Sequence, residues 1–503
     1  MLLLICILGL ILRYINTTNN NVLFGYDQYE DLFHTRKIIL GDPPLIGRPI
    51  YGDPNLHHGV LYFYYNLIPY VFSNANPFAV ISWNNIFNVG ASIAAFSISR
   101  LLFKDKLLAL ISAFLVAVSY EYIQFSGWIS STAPTLFSVP LYFLGLAAYY
   151  RQKSWGLPVA ALGLGMSIQL EIFFVYLIPI FAIFFFLFKP AFPTIKTFLV
   201  SCLILLIFAS TFILTELKLR FAGIISLLHF SETFDDGQIG YLDRVGLYLD
   251  KFVLTLANNL FPTHPEFGWI LVVIIGVASV FFLLNPRMDK SEKKGLVFLI
   301  IFVLSPVLML ALGFHKQPWF LVGIPAGVAL LTAFILSQLK YKLLTFLIVL
   351  AIGYSNITAL IKNHGIGPPL FKAETSSLLS SQLSVVDYTY NESAGEPFSI
   401  NSVTYPLYHN ALWEYHYSWY GQRKFNYKPD WLGGEQPEMY RSLHRINKGG
   451  NHSFMIIDNT YRIPEGQKSK GKEWAKEQGK IVDEKIINGF TVLKVEISST
   501  TIK

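Results

Sequence analysis

The sequence predicts a polytopic α-helical membrane protein of about eleven transmembrane helices with a small C-terminal extracytoplasmic α/β domain. Three observations predict it. Of 503 residues, 53% are hydrophobic and only 14% are charged, where soluble domains sit near a quarter charged. Apolar runs of about the length that crosses a bilayer recur from the first residue to about residue 361. Beyond them the composition becomes that of a soluble chain.

The spans are expected near 1 to 15, 78 to 102, 107 to 124, 133 to 150, 156 to 170, 172 to 188, 197 to 217, 268 to 285, 296 to 312, 319 to 338 and 343 to 361. The Leu-rich start lacks a basic leader and a small-residue cleavage site, so it reads as an uncleaved span rather than a signal peptide. Residues 156 to 188 would run roughly 50 Å as one helix. Basic residues on both flanks favour two spans turning near Gln169 and Glu171. Residues 59 to 73, GVLYFYYNLIPYVFS, are apolar but rich in aromatics and suit a helix lying in the interface.

Loop charge sets the expected orientation, because cytoplasmic loops collect Lys and Arg. With the N-terminus cytoplasmic, the short inner loops hold Lys104, Lys106, Arg151, Lys153, Lys189, Lys196, Arg287, Lys290, Lys293, Lys294, Lys340 and Lys342. The longer outer segments, 16 to 58 and 218 to 266, carry fewer cations, diluted by acids. The net charge of +7 sits almost wholly before residue 366, since the tail holds 16 basic and 15 acidic residues. Bilayer topology accounts for such an excess, and no nucleic-acid partner is expected. Cys6 and Cys202 lie in separate apolar runs, which excludes a disulfide framework.

The expected domains are therefore 1 to 365, a multi-span membrane domain whose first outer loop is 16 to 77, and 366 to 503, a soluble α/β domain entered through the linker GIGPP. In the tail, FMIID at 454 to 458 and GFTVLKVEI at 489 to 497 read as strands, and 470 to 479 as a helix. Its segment ALWEYHYSWYGQRKFNY, 411 to 427, has aromatics that could stack on sugar faces, although aromatics at such spacing more often form ordinary core.

Charge gathers at few places in the membrane part. GYDQYEDLFH, residues 25 to 34, follows the first span. As a helix it sets Asp27, Asp31 and His34 on one stripe, with Glu30 beside Asp27. A solvated loop helix with acids at its N-terminal end fits that spacing equally well. The following turn-rich segment leads to Arg48, His57 and His58. Acids, an arginine and histidines on one outer loop can bind an anionic headgroup and hold a base. GFHKQPWF puts His315 and Lys316 next to Trp319, an arrangement that also anchors helices at an interface. Glu171 is costly near a membrane unless a short water-exposed hairpin carries it.

The Tyr-Asp-Gln with nearby acids at 26 to 31, the LIG-x-P loop at 45 to 49, His-His-Gly-x-Leu-Tyr-x-Tyr from His57 and the late HKQPWF segment resemble the dolichyl-phosphate-mannose-protein mannosyltransferases. These are family 39-like enzymes of the glycosyltransferase C superfamily. The resemblance implies an inverting glycosyltransferase that uses a polyprenyl-phosphate sugar as donor, with an acid of the first outer loop in the active site, here Asp27. Relatives often carry a two-acid motif where this chain has Asp27-Gln28. Glu30 or Asp31 would then supply any second carboxylate, and no metal site is assigned, although a divalent metal is not required to be absent. Relatives often carry an Arg-Tyr pair in the late helix, so here Lys316 would supply the cation.

Transfer from a lipid phosphate requires a base, cations for the departing phosphate and a lateral groove for the isoprenoid tail. Asp27 is the expected base, with its pKa raised if burial and adjoining acids act on it. Lys316, His315 and Arg48 are the expected phosphate-stabilising groups. The expected partners are membrane lipid, the lipid-linked donor and an acceptor that the residues leave open among protein, lipid and glycan. The competing class is a transporter or lipid flippase, whose polar groups gather near the bilayer midplane, often in repeated halves.

Overall fold

The computed structural model describes residues 1 to 50, 53 to 229, 240 to 312, 318 to 363, 374 to 447 and 451 to 497. The chain divides into two compact units. The first comprises Met1–Asn16, Pro43–Tyr65 and Ile81–Asn363; the second comprises Thr17–Asp42, Asn66–Val80 and His364–Lys503.

The first unit is helical, and each apolar run of the sequence coincides with a helix or a helical pair. Five helices among the described residues are long and apolar enough to cross a membrane: Pro77–Phe103, Ile195–Lys218, Pro265–Leu284, Lys290–Leu310 and Lys342–Asn363. Lys106–Val118 and Tyr120–Ser126 would form a sixth span, bent by 51°. The bend falls at Ser119, whose hydroxyl accepts from the Tyr122 amide and so starts the second helix. Leu2–Thr17, Thr135–Tyr150, Gly156–Leu170, Ile172–Phe188 and Ile324–Ser337 are apolar but shorter, about 20–25 Å long at 1.5 Å per residue.

Two segments differ from expectation. The segment 218 to 266, expected as an outer loop, contains a 20-residue helix, Tyr241–Leu260, which buries Tyr248, Phe252, Val253 and the run from Thr255 to Leu260. Its charges, Asp243, Arg244, Asp250 and Lys251, lower its mean hydropathy below a span's, yet its apolar stripe has helical spacing. The aromatic stretch 59 to 73 is two short helices, Leu61–Tyr65 and Leu67–Ser73. Pro69 has no amide to give the Tyr65 carbonyl, which ends the first helix there. Ile68, Val71 and Phe72 are exposed apolar side chains on the second.

Short strands β1 (Pro49–Ile50) and β2 (Asp53–His57) pair antiparallel in the first unit. The second unit carries a mixed sheet of β3 (Phe398–Val403), β4 (Asp430–Trp431), β5 (His452–Asp458), β6 (Lys480–Ile487) and β7 (Phe490–Glu496), in the order β4-β3-β5-β7-β6. β3 runs parallel to β4 and β5, while β7 runs antiparallel to β5 and β6. The β6–β7 turn is Asn488-Gly489 with φ of 45° and 93°, the doubly left-handed turn that matches strand twist and for which Asn-Gly is preferred. Met455 and Ile457 of β5 pack with Leu493, Val495 and Ala475 against helix Glu465–Gln478. On the opposite face, Phe454 meets Tyr388 of helix Leu379–Ser393. Alternation along β5 thus gives each face its own helix.

Candidate functional site

In the second unit, the acidic stretch is a helix, Tyr26–Ile39. The Gly25 amide donates to Gln28 Oε1 at 2.9 Å, which satisfies a donor at the helix start. Asp27 lies in the first turn and is exposed, where the helix dipole favours its charge. Asp31, one turn on, is buried, and His34 further along the stripe and Glu30 beside it are half-buried. The expected stripe therefore dips from solvent into the interior, with Asp27 at its exposed end.

Tyr29 and Phe33 fix the buried face of this helix. Tyr29 meets Tyr440 edge-on at 6.3 Å, and Phe33 meets Tyr415 and Tyr440 at 5.7 and 4.7 Å. Arg36 reaches Glu414 Oε1 at 3.3 Å, with Glu414 fully buried. Ser442 Oγ donates to the same oxygen. Glu414 Oε2 has no hydrogen-bond partner among the described residues. Burial pushes this carboxyl up to about 7 against the pull of Arg36. Two residues on, burial pushes the His416 imidazole down to about 3; its Nε2 lies 2.8 Å from Gln382 Oε1.

In the first unit, His57 and His58 follow the turn-rich segment as expected. His57 Nδ1 lies 2.9 Å from the Gly47 carbonyl. The His58 amide donates to the Arg48 carbonyl, and its ring stands edge-on to Phe173. His58 Nδ1 lies 3.2 Å from Glu171 Oε2, while Glu171 Oε1 accepts from Ser131 at 2.6 Å and Thr132 at 2.9 Å. Glu171 is buried and so is Gln169, which donates to Thr211 Oγ1 at 2.9 Å. A water-exposed hairpin is therefore not what accommodates them; side-chain donors are. Gly59 makes this possible, since a Cβ there would stand 2.3 Å from the Gln169 carbonyl oxygen. Arg48 is half-buried. His315 and Lys316 lie outside the described residues.

The sequence reading missed a second buried carboxylate in this unit. Glu121, just past the bend, accepts from Thr255 Oγ1 at 3.3 Å and Asn259 Nδ2 at 3.4 Å. Asn356 extends the ladder, accepting from the Tyr120 amide at 2.7 Å and donating to the Asn259 carbonyl. The signal was a charged residue inside a predicted span, which is costly unless paired; its partners lie on the helix read as loop. Arg13, inside the first helix, is likewise buried and donates to the Gly9 carbonyl at 2.9 Å.

An apolar groove of about 560 Å³ runs along helices Gly156–Leu170 and Ile195–Lys218, with Phe181, Phe198, Phe208 and Phe212 in its walls. It has the lining an isoprenoid or acyl tail would contact. Among the described residues, no group of three or more His, Cys, Asp or Glu is arranged to hold a metal ion.

No protein-family model matches the sequence, and no curated protein matches it either. Among solved structures, ArnT from Cupriavidus metallidurans bound to undecaprenyl phosphate matches with a TM-score of 0.59 at 7% identity, over 98% of this chain and 97% of that one. Its apo state matches to the same extent. The oligosaccharyltransferase of Archaeoglobus fulgidus in complex with Zn and sulfate gives a TM-score of 0.49 at 21% identity, over 81% of this chain and 59% of that one. The ArnT likeness extends over nearly the whole of both chains, and the protein shares the fold of that structure.

Proposed function

We propose that the protein is an inverting glycosyltransferase that moves a sugar from a polyprenyl-phosphate donor to an acceptor hydroxyl at the outer membrane face. The observation that carries this reading is the end-to-end likeness to ArnT, a protein whose crystal structure holds undecaprenyl phosphate. An acid on the first outer segment, Asp27, exposed at the start of a helix fixed by buried aromatics, supports it. In the orientation set by loop charge, the N-terminus is cytoplasmic, and the acidic helix and the tail sheet are extracytoplasmic.

Asp27 acts as base. Its carboxylate takes the proton as the acceptor oxygen bonds to the anomeric carbon from the face opposite the phosphate. The carbon–phosphate-oxygen bond breaks with its electron pair leaving on the lipid phosphate, and a single displacement inverts the centre. Charge developing on the phosphate is worth most to neutralise where water is scarce; Arg48, His315 and Lys316 are the cations assigned to it. His58 binds and orients substrate, with its ring held beside Glu171, and Glu30, Asp31, His34 and His57 are further binding groups. The apolar groove takes the isoprenoid tail.

The test is transfer in membranes supplied with a labelled polyprenyl-phosphate sugar. Asp27→Asn lowers turnover by about 10²–10⁴ or more, the range of a general base, while donor binding persists. Unchanged transfer removes Asp27 from the mechanism. A transporter is the second reading, favoured by the buried Glu121 ladder at a bent span; counterflow of labelled sugar in proteoliposomes without chemical transfer would establish it instead.

A further inference from the structure

The aromatic segment 411 to 427 divides in the structure. Trp413, Tyr415 and Tyr417 are buried in the core of the second unit. Trp419, with Tyr70 and Tyr415, lines a cavity of about 290 Å³, at the small end of ligand sites, which run ~300–1,000 Å³. Its volume suits one ring rather than an extended chain.

Polar groups in the cavity are arranged unevenly. Glu414 lies at its base, with Oε1 occupied by Arg36 and Ser442 and Oε2 without a hydrogen-bond partner among the described residues. A fully buried carboxyl oxygen left so is costly in the empty protein and is matched by a ligand hydroxyl. Three cations line the cavity. Arg36 pairs with Glu414, Arg423 donates to the Ser73 carbonyl at 3.3 Å, and Lys428 donates to the Ser442 carbonyl at 2.6 Å. Each retains further donors, since Lys has three and Arg five. Three positive groups face one carboxyl, so the cavity favours an anion. Gln422 adds an amide, and Trp419 and Tyr70 add flat apolar faces.

We propose that this cavity is a saccharide subsite for one sugar ring bearing an anionic group, a uronate or a phosphorylated hexose, and that the ring belongs to the acceptor. Glu414 Oε2 meets a ring hydroxyl, Trp419 covers the apolar face of the ring, and Arg423 and Lys428 pair with the anionic substituent. Its assignment to the acceptor rests on the glycosyltransferase reading. Arg36 and Asp27 share one helix, nine residues and roughly 13 Å apart along the axis, so a ring held here lies about two sugar units along a chain from the base.

The test measures binding of methyl β-glucuronide, methyl β-glucoside and inorganic phosphate to the full-length protein in nanodiscs by saturation-transfer NMR and titration. The glucuronide binds ~5-fold or more tighter than the glucoside, the scale of one partly exposed charge contact. Lys428→Gln removes that preference, Lys428→Arg keeps it, and Trp419→Ala loses both sugars. An unchanged unfolding temperature for each variant shows that the fold survives. Equal binding of the two glycosides, no binding of either, or phosphate displacing the glucuronide at equal concentration overturns the proposal. The glucuronide preference persists in Asp27→Asn. Preference without any transfer in the wild type sinks the catalytic reading and leaves the subsite; transfer without preference does the reverse.

Discussion

Two buried carboxylates, one in each unit, differ in how their oxygens are used. Glu171 in the first unit has both oxygens engaged, one by the hydroxyls of Ser131 and Thr132 and the other within 3.2 Å of His58. Glu414 in the second has one oxygen crowded by Arg36 and Ser442, while the other accepts from none of the described residues. Burial alone therefore does not distinguish a structural acid from a binding one; the count of satisfied lone pairs does. Glu171 fastens the residues around His58, whereas Glu414 is tied to Arg36 and Ser442 through Oε1.

The largest way to break this contrast is Glu171→Ala. It strands two buried hydroxyls, at about 1–3 kcal/mol each, so the first unit is expected to lose several kcal/mol in detergent unfolding. Glu414→Ala is milder, because only one of its oxygens is engaged and Arg36 can turn to water. A result in which the Glu414 variant is the less stable would reverse the assignment of the two acids.

Gly59→Ala comes next. Its Cβ would stand 2.3 Å from the Gln169 carbonyl oxygen, and overpacking of this kind costs about 1–3 kcal/mol. Unfolding temperature measures it, and an unaffected variant would mean that the His58 loop and the turn at Gln169 are not held as tightly as the Glu171 contacts imply.

Proton linkage sharpens the comparison further. Glu414 is raised from 4.5 to about 7, so between those values the folded protein binds more protons than the unfolded one. Its contribution to stability is complete below pH 4.5 and is lost as pH rises through 7. His416 is lowered from 6.5 to about 3, so its effect is opposite: stability is lost as pH falls below 6.5. The two slopes oppose each other between pH 4.5 and 6.5. Glu414→Gln removes one of them, so wild type minus variant stability falls with rising pH by at most about 1.4 kcal/mol per pH unit across 4.5 to 7. Urea titrations at several pH values measure that difference, and a flat difference would show that Glu414 is not the titrating group.

The smallest effect is expected at Lys424, which is paired with Asp387 at 2.8 Å on the surface of the second unit. Lys424→Ala should change stability by about 0.2–1 kcal/mol, reduced further by salt. A larger loss would mark this pair as a structural contact of the second unit rather than a solvated one.

Much of the local structure was legible. The stripe of Asp27, Asp31 and His34 that a helix would build is present in helix Tyr26–Ile39, and the apolar run at 454 to 458 predicts β5. Helix Tyr241–Leu260 was missed because its charges hid a periodic apolar face. Membership of the second unit was less legible still: the Phe24 amide donates to the Ser377 carbonyl at 2.9 Å, and Gln382 Nε2 donates to the Phe24 carbonyl at 2.7 Å, over 350 residues along the chain.

Hydropathy and periodicity are properties of neighbours in sequence, and they alone determined the apolar helices and the strands at 454 to 458 and 489 to 497, because backbone geometry repeats over a few residues. Which carboxylate oxygen is satisfied depends on donors brought from distant segments, Ser131 to Glu171 and Arg36 to Glu414. Only the tertiary structure could decide that, since hydrogen bonds act over about 3 Å of space whatever the separation along the chain.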